Sequence, residues 1–176
     1  MLLIAFDGHD GAGKTTLAAA VAAQIGGTKV SPFGGTLGDF IAWNYRSRRY
    51  GMANDVALAA IRKALAEHDK AGALIFDRHW LSMFTVLPPR YRSSWRDRPF
   101  TILIWADPAA TERRLIERGE AVDRPGNEYY CRVYRELAER YRVPMVDTTL
   151  GTLEENIARC RELIESLGPG RSTARR

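Results

Sequence analysis

Gly8-His9-Asp10-Gly11-Ala12-Gly13-Lys14-Thr15 satisfies the pattern G-x-x-x-x-G-K-[ST] at every required position. The apolar run Leu2-Leu3-Ile4-Ala5-Phe6 leads into it, and a helix-prone run over residues 17–25 leads out. Strand, glycine-rich turn and helix are the context in which this pattern has physical meaning. Glycines let the backbone wrap a phosphate chain with its N–H groups turned inward, and the helix N-terminus adds the positive end of its dipole. The expected contacts to a nucleoside triphosphate are Gly8, Asp10, Gly11, Ala12, Gly13, Lys14, Thr15 and Thr16. Lys14 is expected to reach the β- and γ-phosphates of ATP, and Thr15 to hold Mg²⁺.

Outward from this loop the chain alternates. Residues 2–7, 28–30, 73–77, 100–106 and 144–146 read as strands. Residues 14–25, 37–48, 53–70, 108–118, 127–140 and 153–167 read as helices. Such alternation predicts an α/β fold of three layers, a five-stranded parallel sheet with helices on both faces, which is the P-loop NTPase arrangement. A chain of 176 residues with 45% hydrophobic and 27% charged content makes one soluble domain of ordinary size. No apolar stretch reaches transmembrane length, and the opening residues read as a buried strand, not a signal peptide, so no membrane role is expected. Cys131 and Cys160 lie far apart in helical patterns without a C-x-x-C. That predicts neither a disulfide framework nor a zinc site and suits a reducing cytoplasm. The net charge of +5 rests mostly on arginine, which suits bidentate phosphate contacts.

Two further clusters carry chemistry. Asp77-Arg78-His79 follows the third strand, and ligands of open α/β sheets bind beyond the carboxyl ends of strands. Asp77 is expected to organise Mg²⁺ or to orient and deprotonate an acceptor, and Arg78 to clamp a phosphate. The alternative is a strand-end aspartate capping the next helix beside a solvated arginine. Arg118 and Arg124 flank a loop interrupted by Gly119, Pro125 and Gly126, and are expected to close over transferred phosphate. Arg113 and Arg114 belong to the same basic segment, with a charged helix face, one or other arginine solvated, as the alternative reading.

Phe6-Asp7-Gly8-His9-Asp10-Gly11-Ala12-Gly13-Lys14-Thr15-Thr16 resembles the opening of thymidylate kinases, as does Asp77-Arg78-His79. The arginine helix ending at Arg118-Gly119, then Asp123-Arg124, is similar to their lid, and Arg132-Val133-Tyr134 to the helix after it. Val146-Asp147-Thr148 resembles their adenine-side loop, and Gly34-Gly35-Thr36 the turn that meets the acceptor. The resemblance implies a P-loop kinase domain over residues 1–168 with a lid at about 119–127, and leaves 169–176 as a basic tail expected to be disordered. It implies Lys14, Asp77, Arg78, Arg118 and Arg124 as catalytic, Thr15 and Asp77 toward Mg²⁺, and Thr148 beside adenine. Asp10 would contact the acceptor sugar or its phosphate, and Phe33 or Phe40 would border the base. The activity implied is ATP- and Mg²⁺-dependent phosphoryl transfer to a pyrimidine nucleoside monophosphate or close analogue, in a homodimer joined through apolar helices such as 53–70.

The sequence departs from the family on the acceptor side. Val30-Ser31-Pro32-Phe33 stands where an Arg-Glu pair is usual, and Trp80-Leu81-Ser82-Met83-Phe84 where a Tyr-Gln pair is usual. Ile75-Phe76-Asp77-Arg78-His79 is also similar to herpesvirus thymidine kinase, which implies a nucleoside acceptor; transfer to a hydroxyl, of a free nucleoside or of a modified base in DNA, is thus a second reading. Between Pro88 and Pro99, Arg90, Arg92, Arg96 and Arg98 interleave with Tyr91 and Trp95. That pattern tracks a nucleic-acid strand or forms a solvated loop over the acceptor. A non-catalytic nucleotide switch is a third reading, against which stands the lack of Asn-Lys-x-Asp.

Overall fold

The computed structural model describes residues 1–168; the tail expected over 169–176 lies outside the described residues. Five strands, β1 (Leu2–Asp7), β2 (Thr28–Val30), β3 (Ala73–Asp77), β4 (Phe100–Trp105) and β5 (Met145–Asp147), form one parallel sheet in the order β2-β3-β1-β4-β5. The helices are α1 (Lys14–Gln24), α2 (Gly35–Arg46), α3 (Tyr50–Glu67), α4 (Trp80–Val86), α5 (Pro108–Glu117), α6 (Arg124–Tyr141) and α7 (Leu153–Glu165).

Alternation along the buried strands splits the core in two. Ile4, Phe6, Ile75, Ile102 and Ile104 face α1 and α7, packing on Leu17, Val21, Ile157 and Cys160. Ala5, Leu74, Phe76 and Leu103 face the other way, onto Ala53, Ala57, Ile61, Trp80, Leu81, Tyr134 and Leu137 of α3, α4 and α6. Helices on both faces make the three layers that the alternating sequence predicts. Both cysteines are buried free thiols, and no helix among the described residues is long and apolar enough to cross a membrane.

Three segments differ from the sequence reading. A short helix, α4, follows Asp77-Arg78-His79. Its sequence has no capping side chain of its own, because the cap comes from Asp7, 72 to 75 residues earlier in the chain. Of the segment 119–127, expected as a lid, the part from Arg124 onward is helical: Pro125 and Gly126 sit in the first turn of α6, which the Asp123 side chain caps at the Gly126 N–H. Proline is tolerated there because a first-turn N–H has no intrahelical partner.

The arginine- and aromatic-rich stretch 88–99 lines neither of the two hollows of the candidate site and turns part of its side chains inward. It folds back through a 3₁₀ turn, Pro89–Ser94. Trp95 is buried and its Nε1 donates to Asn54 Oδ1 at 2.9 Å. Arg98 lies over the rings of Trp80, Phe84 and Tyr141 at 4.9, 5.0 and 5.2 Å. Its charge is spent on an internal aromatic cage.

His79 packs edge-on to Phe76 and Trp95, with ring centroids 4.9 and 5.6 Å away, and burial drives its pKa down to about 3. His9 is driven down to about 4, by burial first and then by the Lys14 charge. Both start from 6.5 in the unfolded chain. Below that pH the folded chain therefore binds fewer protons than the unfolded one, and stability falls as pH drops through 6.5 toward the folded values. The fall approaches about 1.4 kcal/mol per pH unit for each histidine. Urea unfolding between about pH 6.5 and pH 5 should show a shallower slope for His79→Gln than for the wild type; identical slopes would contradict a buried neutral ring.

Candidate active site

The strand order places the site. β1 is the switch point, with β3 on one side and β4 on the other, so the segments after β1, β3 and β4 open onto one crevice. In the first of these, the phosphate loop lies tight against β4. Gly8 has φ +153°, and a Cβ there would stand 2.0 Å from the Ile104 carbonyl oxygen. Gly13, at φ +90°, precedes α1 without a side-chain cap, so the first-turn amides stay open for a ligand. Arg114 holds the loop from outside: its Nη1 donates to the Gly11 carbonyl and to Thr148 Oγ1, both at 3.1 Å. Thr148 Oγ1 in turn donates to the Ala12 carbonyl at 2.9 Å. Arg114 is thus a tie between α5, the loop and the segment after β5, where the sequence suggested a solvated face; Arg113 does lie exposed, pairing with Glu117.

Lys14 is buried, and its Nζ donates to the His9 carbonyl at 2.6 Å, 3.9 Å from Asp10 Oδ1. Burial, then the charge of Arg78, pull its pKa down to about 7. Arg78 is set by an unusual backbone, φ +79° in a non-glycine residue, with its N–H on the Phe6 carbonyl at 3.0 Å. Its guanidinium donates to the Gly8 carbonyl and the Tyr134 hydroxyl, both at 3.2 Å, and pairs with Asp10.

Two adjoining hollows result. The smaller, about 180 Å³, is walled by Gly11, Gly13, Lys14, Thr15, Thr16, Ser31, Asp77 and Arg118. The larger, about 600 Å³, lies between α2, α4 and α6, with Tyr45, Met83, Val86, Asn127, Tyr130 and Tyr134 in its wall. Asp10, Phe33 and Arg78 belong to both. The structure thereby assembles Asp10, Lys14, Thr15, Thr16, Asp77, Arg78 and Arg118 around one space. Arg118 is half-exposed and paired with Glu120 at 3.0 Å. Asp77 faces the small hollow only, with Lys29 Nζ at 3.5 Å from its Oδ2. Arg124 lines neither hollow and pairs with Glu112 at 2.7 Å. Of the two phenylalanines expected beside a base, Phe33 lies in the wall; Phe40 is exposed and stacks on Trp43.

The sequence reading did not single out Asn127, Tyr130 and Tyr134 as a wall. Their spacing of three and four residues along α6 puts them on one helix face, and that signal was present. Tyr45 and Met83 had none, because nothing local tells a wall residue from a core residue.

No family model and no curated protein matches the chain. Solved structures do. It is similar to a deoxyadenosine kinase from M. mycoides with bound dATP (16% identity, TM-score 0.67, covering 94% of this chain and 100% of that one). It is similar to a thymidylate kinase from Candida albicans (13%, 0.70, 94% and 92%). It is also similar to the YorR protein from Bacillus subtilis in complex with phosphorylated GDP (18%, 0.64, 93% and 95%). At these identities the likeness establishes the shared fold.

The close approach of loop to sheet can be tested alone. Gly8→Ala should cost roughly 3 kcal/mol or more, since both its φ and the Ile104 carbonyl oppose a side chain. A denaturation midpoint equal to that of the wild type would refute the packing described.

Proposed function

We propose that the protein is an ATP-dependent kinase that moves a phosphoryl group to a nucleoside monophosphate, pyrimidine or close analogue. The observation that carries the reading is the sharing of Asp10 and Arg78 between a small basic hollow behind Lys14 and a cavity large enough for a nucleotide. A donor's phosphate tail fits the first, and an acceptor's body the second. The two would then meet at a guanidinium, the group best shaped for bidentate phosphate contact. The printed activities of the neighbours, deoxyadenosine kinase and thymidylate kinase, lend the reading support by likeness of fold.

The acceptor follows from the carboxylates. A hydroxyl must lose its proton in the transfer and needs a base beside it. Asp77 stays on the donor side in an ion pair with Lys29, and Asp10 is engaged by Arg78. A monophosphate is largely ionised near neutral pH and needs only clamps and charge relief. Asp10 remains the one candidate base for a hydroxyl, so nucleosides belong in the same assay.

For the metal, the small hollow offers hard oxygen donors, the Thr15 hydroxyl and the Asp77 carboxylate, on the wall beside Lys14. These fit Mg²⁺, which when bound would neutralise phosphate charge. Lys14 would draw the donor phosphates in and recover its charge there. Arg78 would hold the acceptor phosphate in line, and Arg118, from the short lid, would add charge over both.

The test is ADP release across a panel of nucleoside monophosphates and nucleosides. At least one monophosphate should stimulate release well above the water background. Lys14→Ala should lower turnover by roughly 10²–10⁴-fold, and Arg78→Ala should raise the acceptor KM and lower kcat together. A flat response to every monophosphate would overturn the reading, and a response to nucleosides abolished by Asp10→Asn would replace it with hydroxyl transfer.

A further inference from the structure

Arg78 is the hinge of the site, yet its ion-pair partner Asp10 has a side chain 75% exposed and is itself a poor anchor in water. A second set of contacts reaches Arg78 from the interior. Its Nη1 meets the Tyr134 hydroxyl at 3.2 Å. The Tyr134 hydroxyl meets Ser82 Oγ at 2.8 Å, and Ser82 Oγ meets the carboxylate of Asp7. Asp7, Ser82 and Tyr134 are all buried.

Proton counting gives this chain of contacts a direction. Asp7 accepts from the amides of His79 at 2.9 Å, Leu81 at 3.3 Å and Ser82 at 3.0 Å, so its oxygens act only as acceptors. A serine hydroxyl has a single proton. Ser82 gives it to Asp7 and is left as an acceptor toward Tyr134. Tyr134 gives its single proton to Ser82, and what it turns toward Arg78 is a lone pair. Burial pushes the Tyr134 hydroxyl up to about 12, so that proton stays in place throughout the neutral range.

We infer that Tyr134 is a positioning residue for the transfer reaction: with Ser82 and Asp7 behind it, it presents an obligate acceptor that fixes the Arg78 guanidinium between the two hollows. None of the three needs to touch the reacting phosphates for this. The effect on catalysis rests on the function proposed above; the effect on Arg78 itself does not.

The experiment has two arms, on wild type, Tyr134→Phe, Ser82→Ala and the double variant. Each change removes one hydroxyl and keeps the side-chain body. The first arm is ¹⁵N-detected NMR of arginine side chains in the free protein, with Arg78 assigned by the signal lost in Arg78→Lys. Arg78 should give resolved, slowly exchanging Nη protons in the wild type and averaged ones in both single variants. Arg114, tied to Gly11 and Thr148, should stay unchanged in all and so reports an intact fold. The second arm is kinetic. Each single variant should raise the acceptor KM about tenfold, with ATP affinity unaltered, and the double variant should be no worse than Tyr134→Phe alone, as members of one chain are not additive. An Arg78 signal identical in wild type and both variants overturns the inference, as do fully additive losses. A wild type that phosphorylates no monophosphate counts against the proposed function, while the NMR arm still decides the positioning role.

Discussion

Asp7 closes β1 and is fully buried. Burial raises its pKa, and the amides of His79 and Ser82, with the Ser82 hydroxyl, act against that rise. A carboxylate in this position is tolerable only if donors surround it, and the donors come from the turn after β3 and the first turn of α4. The parallel register, Phe6 opposite Asp77, brings the two strand ends level so that this can happen. From that one contact follow the helical start at Trp80, the left-handed backbone at Arg78, and the placing of an arginine beside a phosphate loop seventy residues away in sequence.

The same logic of shared ends governs the other side of β1. There β4 comes so close to Gly8 that only hydrogen fits. Arg114 and Thr148 then pin the rear of the loop to α5 and to the segment after β5. The loop is thus held from outside by a guanidinium and a hydroxyl, while Lys14 within it and Arg78 beside it share the Asp10 carboxylate.

The sheet and its phosphate loop were legible because their signals are local. An apolar run, then glycines and Lys14-Thr15, specify strand, turn and helix without reference to the rest of the chain. The five strands and six of the helices are recognisable from periodicity, with ends that shift by a few residues. The seventh helix, α4, was not legible, since its cap, Asp7, is remote in sequence. The stretch 88–99 is ambiguous for a related reason: arginines alternating with aromatics look the same whether the guanidiniums face a nucleic acid or, as for Arg98, their own neighbouring rings. Around the site, Lys14, Asp10, Arg78 and Arg118 line one hollow. Arg124 does not, because a residue in the first turn of a helix points where the helix does, and Glu112 was there to pair with it.

The account stands on two hollows joined at Arg78 and Asp10. A bisubstrate compound, adenosine linked through a polyphosphate to a pyrimidine nucleoside, addresses this in one crystal structure. The account predicts the phosphate chain running from the Lys14 amide past the Arg78 guanidinium, with the pyrimidine nucleoside between Tyr45, Met83 and Tyr130. A compound bound with its phosphates away from Lys14, or with the pyrimidine nucleoside outside the larger cavity, would contradict it.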